Sequence, residues 1–502
     1  MVDFTNGPAT AGFFTPERFE ADVYDCEVEG TIPKDISGAF IRVGGAWFYP
    51  GKDGTTNPFS SDGYISAFYF RNGVIDYKGR WVKTKRFLDN LSARRNLYGH
   101  YRNPTTNARG YQNMEQPYLG TVSNTAPIAH AGKLFALKED AQPCEIDPNT
   151  LETLGAWNFN GQYQSQTFTA HPKIDPVTGN MVTFGYEATG HRSNAIWVYE
   201  INPKGEVVHE AKLSAPYLSM IHDCVLTQKH IIFPVCGYVT SEQRIKEGLD
   251  HWGYDAKAPA YWGILSRGGD GSDVRWYQVD PQIIVHTLNG RTEGNKVILE
   301  APTCAGNPFP WVFAVDGSPW DPKRSGFALR RLTFNLNSKS DSFEEDIIFQ
   351  ANFTDLARID DRYISLPYRY MYSGMNDATK PFNAERSGNI GNVMNSYFRL
   401  DLHTNEVKTF FAGDTHGVQE VSFIPRSKKS AEGDGYLVGV ANNYADMRSE
   451  MVLVDAQSME QIARVYLPFR SSTQVHGRWF GADELPFSDR PMAPYQGRFQ
   501  SA

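Results

Sequence analysis

Short runs of alternating apolar and polar residues, broken by Gly, Asp, Asn and Pro, fill the chain from about residue 23 to about residue 480. A period of two sends side chains to opposite faces of an extended backbone, so the pattern predicts β-structure nearly throughout. FYFRNGVIDYKGRWV sets Asn72-Gly73 between two such runs, and both residues tolerate the positive φ of a two-residue hairpin turn. HAGKLFALKED repeats the arrangement around Gly132. Five more segments read strand, Asx turn, strand, with turns beginning at Asp147, Asp175, Asn202, Asp401 and Asp455. Helical spacing is rare. RFLDNLSARRNLYG places Leu88, Leu91 and Leu97 near it and predicts one short amphipathic helix packed on the domain.

The first three Asx turns fall 28 and 27 residues apart, too irregular for a sequence repeat but suited to hairpins of successive propeller blades. A β-sandwich with similar turns remains open. Seven four-stranded blades need roughly 300 residues, leaving about 200 of the 502 for insertions over one face. Segments 85–127, 238–275, 302–330 and 362–395 are the candidates for such a roof, and the GGDG at 268–271 reads as a turn. Without a low-complexity linker or a break in composition, residues 1–502 read as a single domain, with about 481–502 as a loosely ordered tail.

Charge narrows the partners. Lys plus Arg number 49 and Asp plus Glu 57, giving −8 without long runs of one sign, which argues against nucleic acid. The N-terminus shows no basic segment followed by an apolar one, and nowhere do about 18 apolar residues run together. A cytoplasmic protein without membrane insertion is expected. The five cysteines are scattered and read as buried reduced thiols, so a metal site would have to be built from imidazole and carboxylate. Nucleophile-elbow, phosphate-loop, zincin and dinucleotide motifs are missing.

Twelve histidines are the remaining chemistry. His222 in YLSMIHDCVL and His286 in IIVHTLNG lie inside apolar runs, where a charged ring is costly and a neutral one needs a partner or a metal. His171 in FTAHPKID and His476 in TQVHGRWF sit at the ends of runs, and the other eight fall in turns or polar contexts. Each of the four alone fits a satisfied core residue. Together they also fit a metal site on a propeller axis, where inner strands from distant segments converge.

Those four histidines, with VEGTIPKDISGAFIRVGG, LYGHYRNP, FTAHPKIDPVTGN, SMIHDCVLTQKHIIFP, QEVSFIPR and LPFRSSTQVHG in that order, resemble the carotenoid cleavage oxygenase family, most closely its stilbene-cleaving branch. The resemblance runs over nearly the whole chain. It implies an all-β, seven-bladed propeller with a dome of loops and short helices over one face, and Fe(II) held by His171, His222, His286 and His476. It implies carboxylates behind the ligands at Glu139 and Glu420. At the third such position this chain has Asp355, in DLAR, where many relatives have glutamate, so a shorter side chain must reach its histidine. Tyr101 and Lys138 match positions that contact the substrate's 4-hydroxyl, and Phe59 and Phe309 match positions lining the pocket.

The implied reaction is dioxygen cleavage of a 4-hydroxystilbene alkene to two aromatic aldehydes, with 4-hydroxyphenylpropenoids or an apocarotenoid as alternative substrates. Partners are then a small aromatic alkene and O2, with a homodimer left open. Outside that class, a propeller that only binds ligands and a metal-independent hydrolase or lyase are the competing readings.

Overall fold

The computed structural model describes residues 4, 10–113, 117–388, 393–472 and 475–488. Seven antiparallel sheets form the blades of a propeller: two of five strands, four of four and one of three. Their middle strands are buried on both faces, as in Met181–Tyr186 and Gly435–Asn443. The outer strand Val207–Ser214 alternates buried or half-buried with exposed positions. Both patterns follow from blades packed face to face with only their rims in water.

The predicted turns are where the chain reverses. Asn72 (φ 47°) and Gly73 (φ 81°) link Asp62–Arg71 to Val74–Trp81, and Ala131 and Gly132 link Ala126–His130 to Lys133–Leu137. At the Asx turns the side chain caps its own loop: Asp147 Oδ1 accepts from the Asn149 and Thr150 N–H groups, and Asp455 Oδ1 from Gln457 and Ser458.

The ring is closed by its two ends. His476–Gly481, the last described strand, pairs with Gly38–Ala46 in the first blade, while Glu27–Gly30 adds to the edge of the seventh blade beside Gln461–Tyr466. Residues 481–488 are fastened, contrary to the expected loose tail. Leu485 is buried, Phe487 packs edge-on against Tyr69, and Asn149 bonds Pro486 O and Ser488 N. Residues 489–502 lie outside the described residues.

Over one face sits the dome, which includes the pair Tyr238–Val239 and Gly253–Tyr254 and the short helices Glu242–Lys246 and Ala384–Ser387. The predicted helix forms at Lys85–Ala93, capped by Thr84 and ended by Arg94 in the left-handed region. It buries a different face from the one its leucines suggest. Leu88 and Leu91 are 49% and 42% exposed, whereas Phe87 stacks on Trp81 at 5.7 Å and the buried Arg86 donates to Ser60 O at 2.7 Å. An aromatic partner and a buried carbonyl outbid two leucines for the inward side. Among the described residues no helix is long and apolar enough to cross a membrane.

Candidate metal centre and aromatic pocket

His171, His222 and His286 do not lie inside strands as their apolar context suggests for two of them. Each precedes a short inner strand by two or three residues: Lys173–Ile174, Val225–Leu226 and Asn289–Glu293. Only His476 begins its strand. The last residues before an inner strand stand at the propeller axis, so four blades deliver one imidazole each to a single point.

One ligand atom from each of the four rings lies within 4.8 Å of the others. His171 Nε2 stands 2.9 Å from His222 Nε2, which stands 3.2 Å from His286 Nε2. Behind two of the rings a carboxylate fixes the proton. His286 Nδ1–H donates to Asp355 Oδ2 at 2.8 Å and His476 Nδ1–H to Glu420 Oε1 at 3.1 Å. A carboxylate only accepts, so the proton is on Nδ1 and the Nε2 lone pairs face inward. Glu139 Oε1 faces His222 Nδ1 at 3.4 Å, an ion-pair distance longer than the other two contacts.

The backbone explains two of the three carboxylates. Glu420 sits where the register of His416–Pro425 against Gly435–Asn443 slips between Val418 and Val421, a bulge that turns its side chain to the axis. Asp355 lies in the irregular segment that stands in for a fourth strand in the three-stranded blade, bridged to Tyr370–Met375 only at Phe353 and Arg358. Freed from a ladder, this segment approaches closely enough for the shorter aspartate to make the shortest of the three contacts.

Burial and crowding together hold His171 well below the usual imidazole range, and burial holds His476 down despite Glu420. Burial also opposes a charge on His286, but the Asp355 carboxylate outweighs it and raises that ring. Glu139 and Glu420 stay ionised: burial is overcome by Lys138 and His222 for the first, and by His476 and Arg358 for the second. Converging lone pairs repel one another, and His476 Nε2 is buried with no hydrogen-bond partner among the described residues. Four imidazole nitrogens facing one point therefore fit a metal ion at their centre, as the donor set of borderline first-row metals requires. A pocket of about 100 Å³ reaches this point, lined by His171, His286, His476, Asp355 and Glu420.

Lys138, one residue before Glu139, serves a different cluster. Its Nζ lies 5.0 Å from the Tyr101 ring centroid and 5.1 Å from that of Phe59. Phe59 meets Tyr101 and Phe309 edge-on at 5.6 and 5.5 Å. Burial, then the nearby Glu139 charge, push the Tyr101 phenol well above its ordinary range, so it stays protonated. Its hydroxyl is buried without a protein hydrogen-bond partner among the described residues. Phe59 and Tyr101 line a separate small pocket with Arg102 and Asp140.

Trp311 escaped the sequence reading. It stacks on Phe309 at 5.3 Å and meets Phe59 at 6.0 Å. Its loop is set by Asn307, whose Oδ1 accepts from Phe309 N–H and the Tyr238 hydroxyl. The Asn-Pro in AGNPFPWVF signalled a turn, but nothing in it says which ring faces the pocket.

The family profile described as retinal pigment epithelial membrane protein matches residues 14–481. Lignostilbene-alpha,beta-dioxygenase isozyme III of Sphingomonas paucimobilis is 36% identical over 97% of this chain and 100% of its own. Isoeugenol monooxygenase of Pseudomonas putida is 36% identical over 94% of this chain and 98% of its own. The crystal structure of Pseudomonas brassicacearum lignostilbene dioxygenase superposes with a TM-score of 0.91 at 37% identity, covering 96% of this chain and 100% of that one. With fold, histidine cluster and full-length similarity in agreement, the chain belongs to the retinal pigment epithelial membrane protein family, the carotenoid cleavage oxygenases.

Proposed function

We propose that this protein is an iron(II) oxygenase that cleaves the central double bond of 4-hydroxystilbenes. The C=C bond breaks, each carbon gains one oxygen atom of a single O2, and two aromatic aldehydes leave. The observation that carries the reading is that adjacent residues face two sites: Glu139 backs the His222 imidazole while Lys138 stands over the Tyr101 and Phe59 rings. A polar, cationic anchor for an aryl group is thereby joined to the metal centre by one peptide bond.

His171, His222, His286 and His476 would hold the iron, and imidazole, a neutral ligand, would leave the ion its full charge. The chemistry supplied by iron(II) when bound is activation of dioxygen toward an alkene. Asp355, Glu420 and Glu139 keep the Nδ1 protons in place and the rings in orientation. Lys138 and the Tyr101 O–H donate to the substrate's 4-hydroxyl. The ammonium lowers that phenol's pKa, and the resulting phenolate pushes electron density through the conjugated system to the alkene. Phe59 and Phe309 grip the aryl ring by edge and face contacts.

A carotenoid end group has no phenol to meet Lys138 and Tyr101, which places apocarotenoids last. The similarity to isoeugenol monooxygenase over nearly the whole chain keeps 4-hydroxyphenylpropenoids as a second substrate class. The test is an aerobic panel of 4-hydroxystilbene, isoeugenol, coniferyl alcohol and an apocarotenal under 18O2, with aldehydes identified by mass. Labelled aldehydes from the stilbene at the highest kcat/KM are expected; preference for the apocarotenal would overturn the reading.

A further inference from the structure

We propose that Asp250 is a positioning residue for the aryl pocket, fixing Tyr101 and Phe59 relative to one another, a role that presupposes the phenol-binding function above. Asp250 Oδ1 accepts the Tyr101 backbone N–H at 2.7 Å. Its Oδ2 accepts from Asn57 Nδ2 at 3.1 Å. The Asn57 Oδ1 in turn accepts the Phe59 N–H at 3.0 Å and caps the short helical turn that carries that ring. One carboxylate of a residue 9% exposed therefore ties together two loops distant in sequence.

The next residue completes the clamp. His251 N–H donates to Tyr101 O at 2.9 Å, so the peptide groups on both sides of Tyr101 are bound to the Asp250-His251 dipeptide. The His251 ring is fully buried, with Nε2 2.9 Å from Glu187 Oε1, and Glu187 Oε2 pairs with Arg102 at 2.6 Å. Arg102 follows Tyr101 directly, at a left-handed φ of 50°. From the opposite side Arg244 donates to Asp250 O at 2.6 Å and Trp252 O at 3.0 Å. The sub-ångström placement a binding hydroxyl requires is thus set from the backbone, because the Tyr101 hydroxyl itself has no hydrogen-bond partner among the described residues. Hydrogen bonds to a buried carboxylate are among the stronger ones available for that purpose.

Asp250→Asn separates the two ties. An amide oxygen can still accept from Tyr101 N–H, but its NH2 group then confronts the Asn57 NH2, donor against donor. The test is anaerobic equilibrium binding to the iron-loaded holoenzyme of 4-hydroxybibenzyl and bibenzyl, which lack an alkene to cleave. Wild type should prefer the hydroxylated ligand. In D250N the Kd for 4-hydroxybibenzyl should rise roughly tenfold, the scale of one lost charge-assisted bond, and that for bibenzyl by no more than about twofold. In a Tyr101→Phe background, D250N should no longer alter the preference, since the group it positions is gone.

Equal weakening for both ligands, or the same D250N effect with and without the Tyr101 hydroxyl, would overturn the positioning role. A wild type without preference for the hydroxylated ligand instead overturns the phenol-binding function itself. If D250N does not fold, Asn57→Ser serves, because serine keeps a capping oxygen for Phe59 but is too short to reach Asp250. N57S should lose about threefold of the hydroxyl preference, and an unchanged preference would overturn the proposal.

Discussion

Replacing Lys138 by methionine keeps an unbranched side chain only one atom shorter and removes its charge, and its effect on the reaction can be worked out from the site. The residue is buried, with its ammonium about 5 Å from the Tyr101 and Phe59 centroids. A phenolate oxygen about 4 Å from that ammonium, at an effective dielectric near 20, gains about 4 kcal/mol. That corresponds to roughly 3 pKa units, which would bring a phenol from about 10 to about 7. At pH 7.5 the bound phenolate fraction would then fall from about three-quarters to about 0.3% in the variant, a loss of roughly 250-fold in kcat/KM. The assay is cleavage of 4-hydroxystilbene between pH 6 and pH 10 at equal iron content. Wild type should level off above about pH 7, while the variant should climb about tenfold per pH unit toward about pH 10. Unchanged kcat/KM, or two parallel pH profiles, would refute phenolate activation by Lys138.

Asp355→Ala removes the acceptor of His286 Nδ1–H and should weaken iron binding about 10- to 100-fold in a chelator competition; wild-type affinity would show that Asp355 does not support its histidine. Phe87→Ala should cost about 3 kcal/mol in denaturant unfolding, whereas Leu88→Lys should change stability by less than about 0.5 kcal/mol, because only the first side chain is buried. Burial lifts Glu17 to about 7 in spite of Arg470, so between about 4.5 and 7 the folded chain holds a proton that the unfolded chain releases. Stability from this group is therefore lost as pH rises through that window, by about 2 kcal/mol after allowance for solvent screening. Glu17→Gln, whose amide stands in for the protonated carboxyl and does not titrate, should therefore gain stability relative to wild type from pH 4.5 to pH 7, and a flat difference would count against the shift.

What was legible in the sequence was local. Asn72-Gly73 and the Asx turns announce themselves because the residues that need a positive φ or cap a loop are the ones forming it. The histidines could be singled out by their apolar surroundings, yet their backbone was misread: His222 and His286 stand just outside strands, a boundary that hydrophobic runs do not mark. The helix was found but rotated, since the spacing of Leu88 and Leu91 carries no information about the Trp81 face waiting for Phe87. Asp250 was invisible for a stronger reason. Its partners Tyr101 and Asn57 are 149 and 193 residues away, so its meaning exists only once the dome loops have met.

The pairing of His476–Gly481 with Gly38–Ala46 makes one ligand of the metal centre arrive on the strand that shuts the ring. Three imidazoles come from internal blades, but the fourth reaches the axis only when the two ends of the chain have found each other. That meeting is a very long-range loop closure and carries the entropic cost of one. An ion that binds all four rings is then a ligand of the closed circle and not of the open one. By mass action, a metal that binds all four rings would favour the closed circle over the open one, so that loss of the metal and fraying of the first and last strands would be coupled.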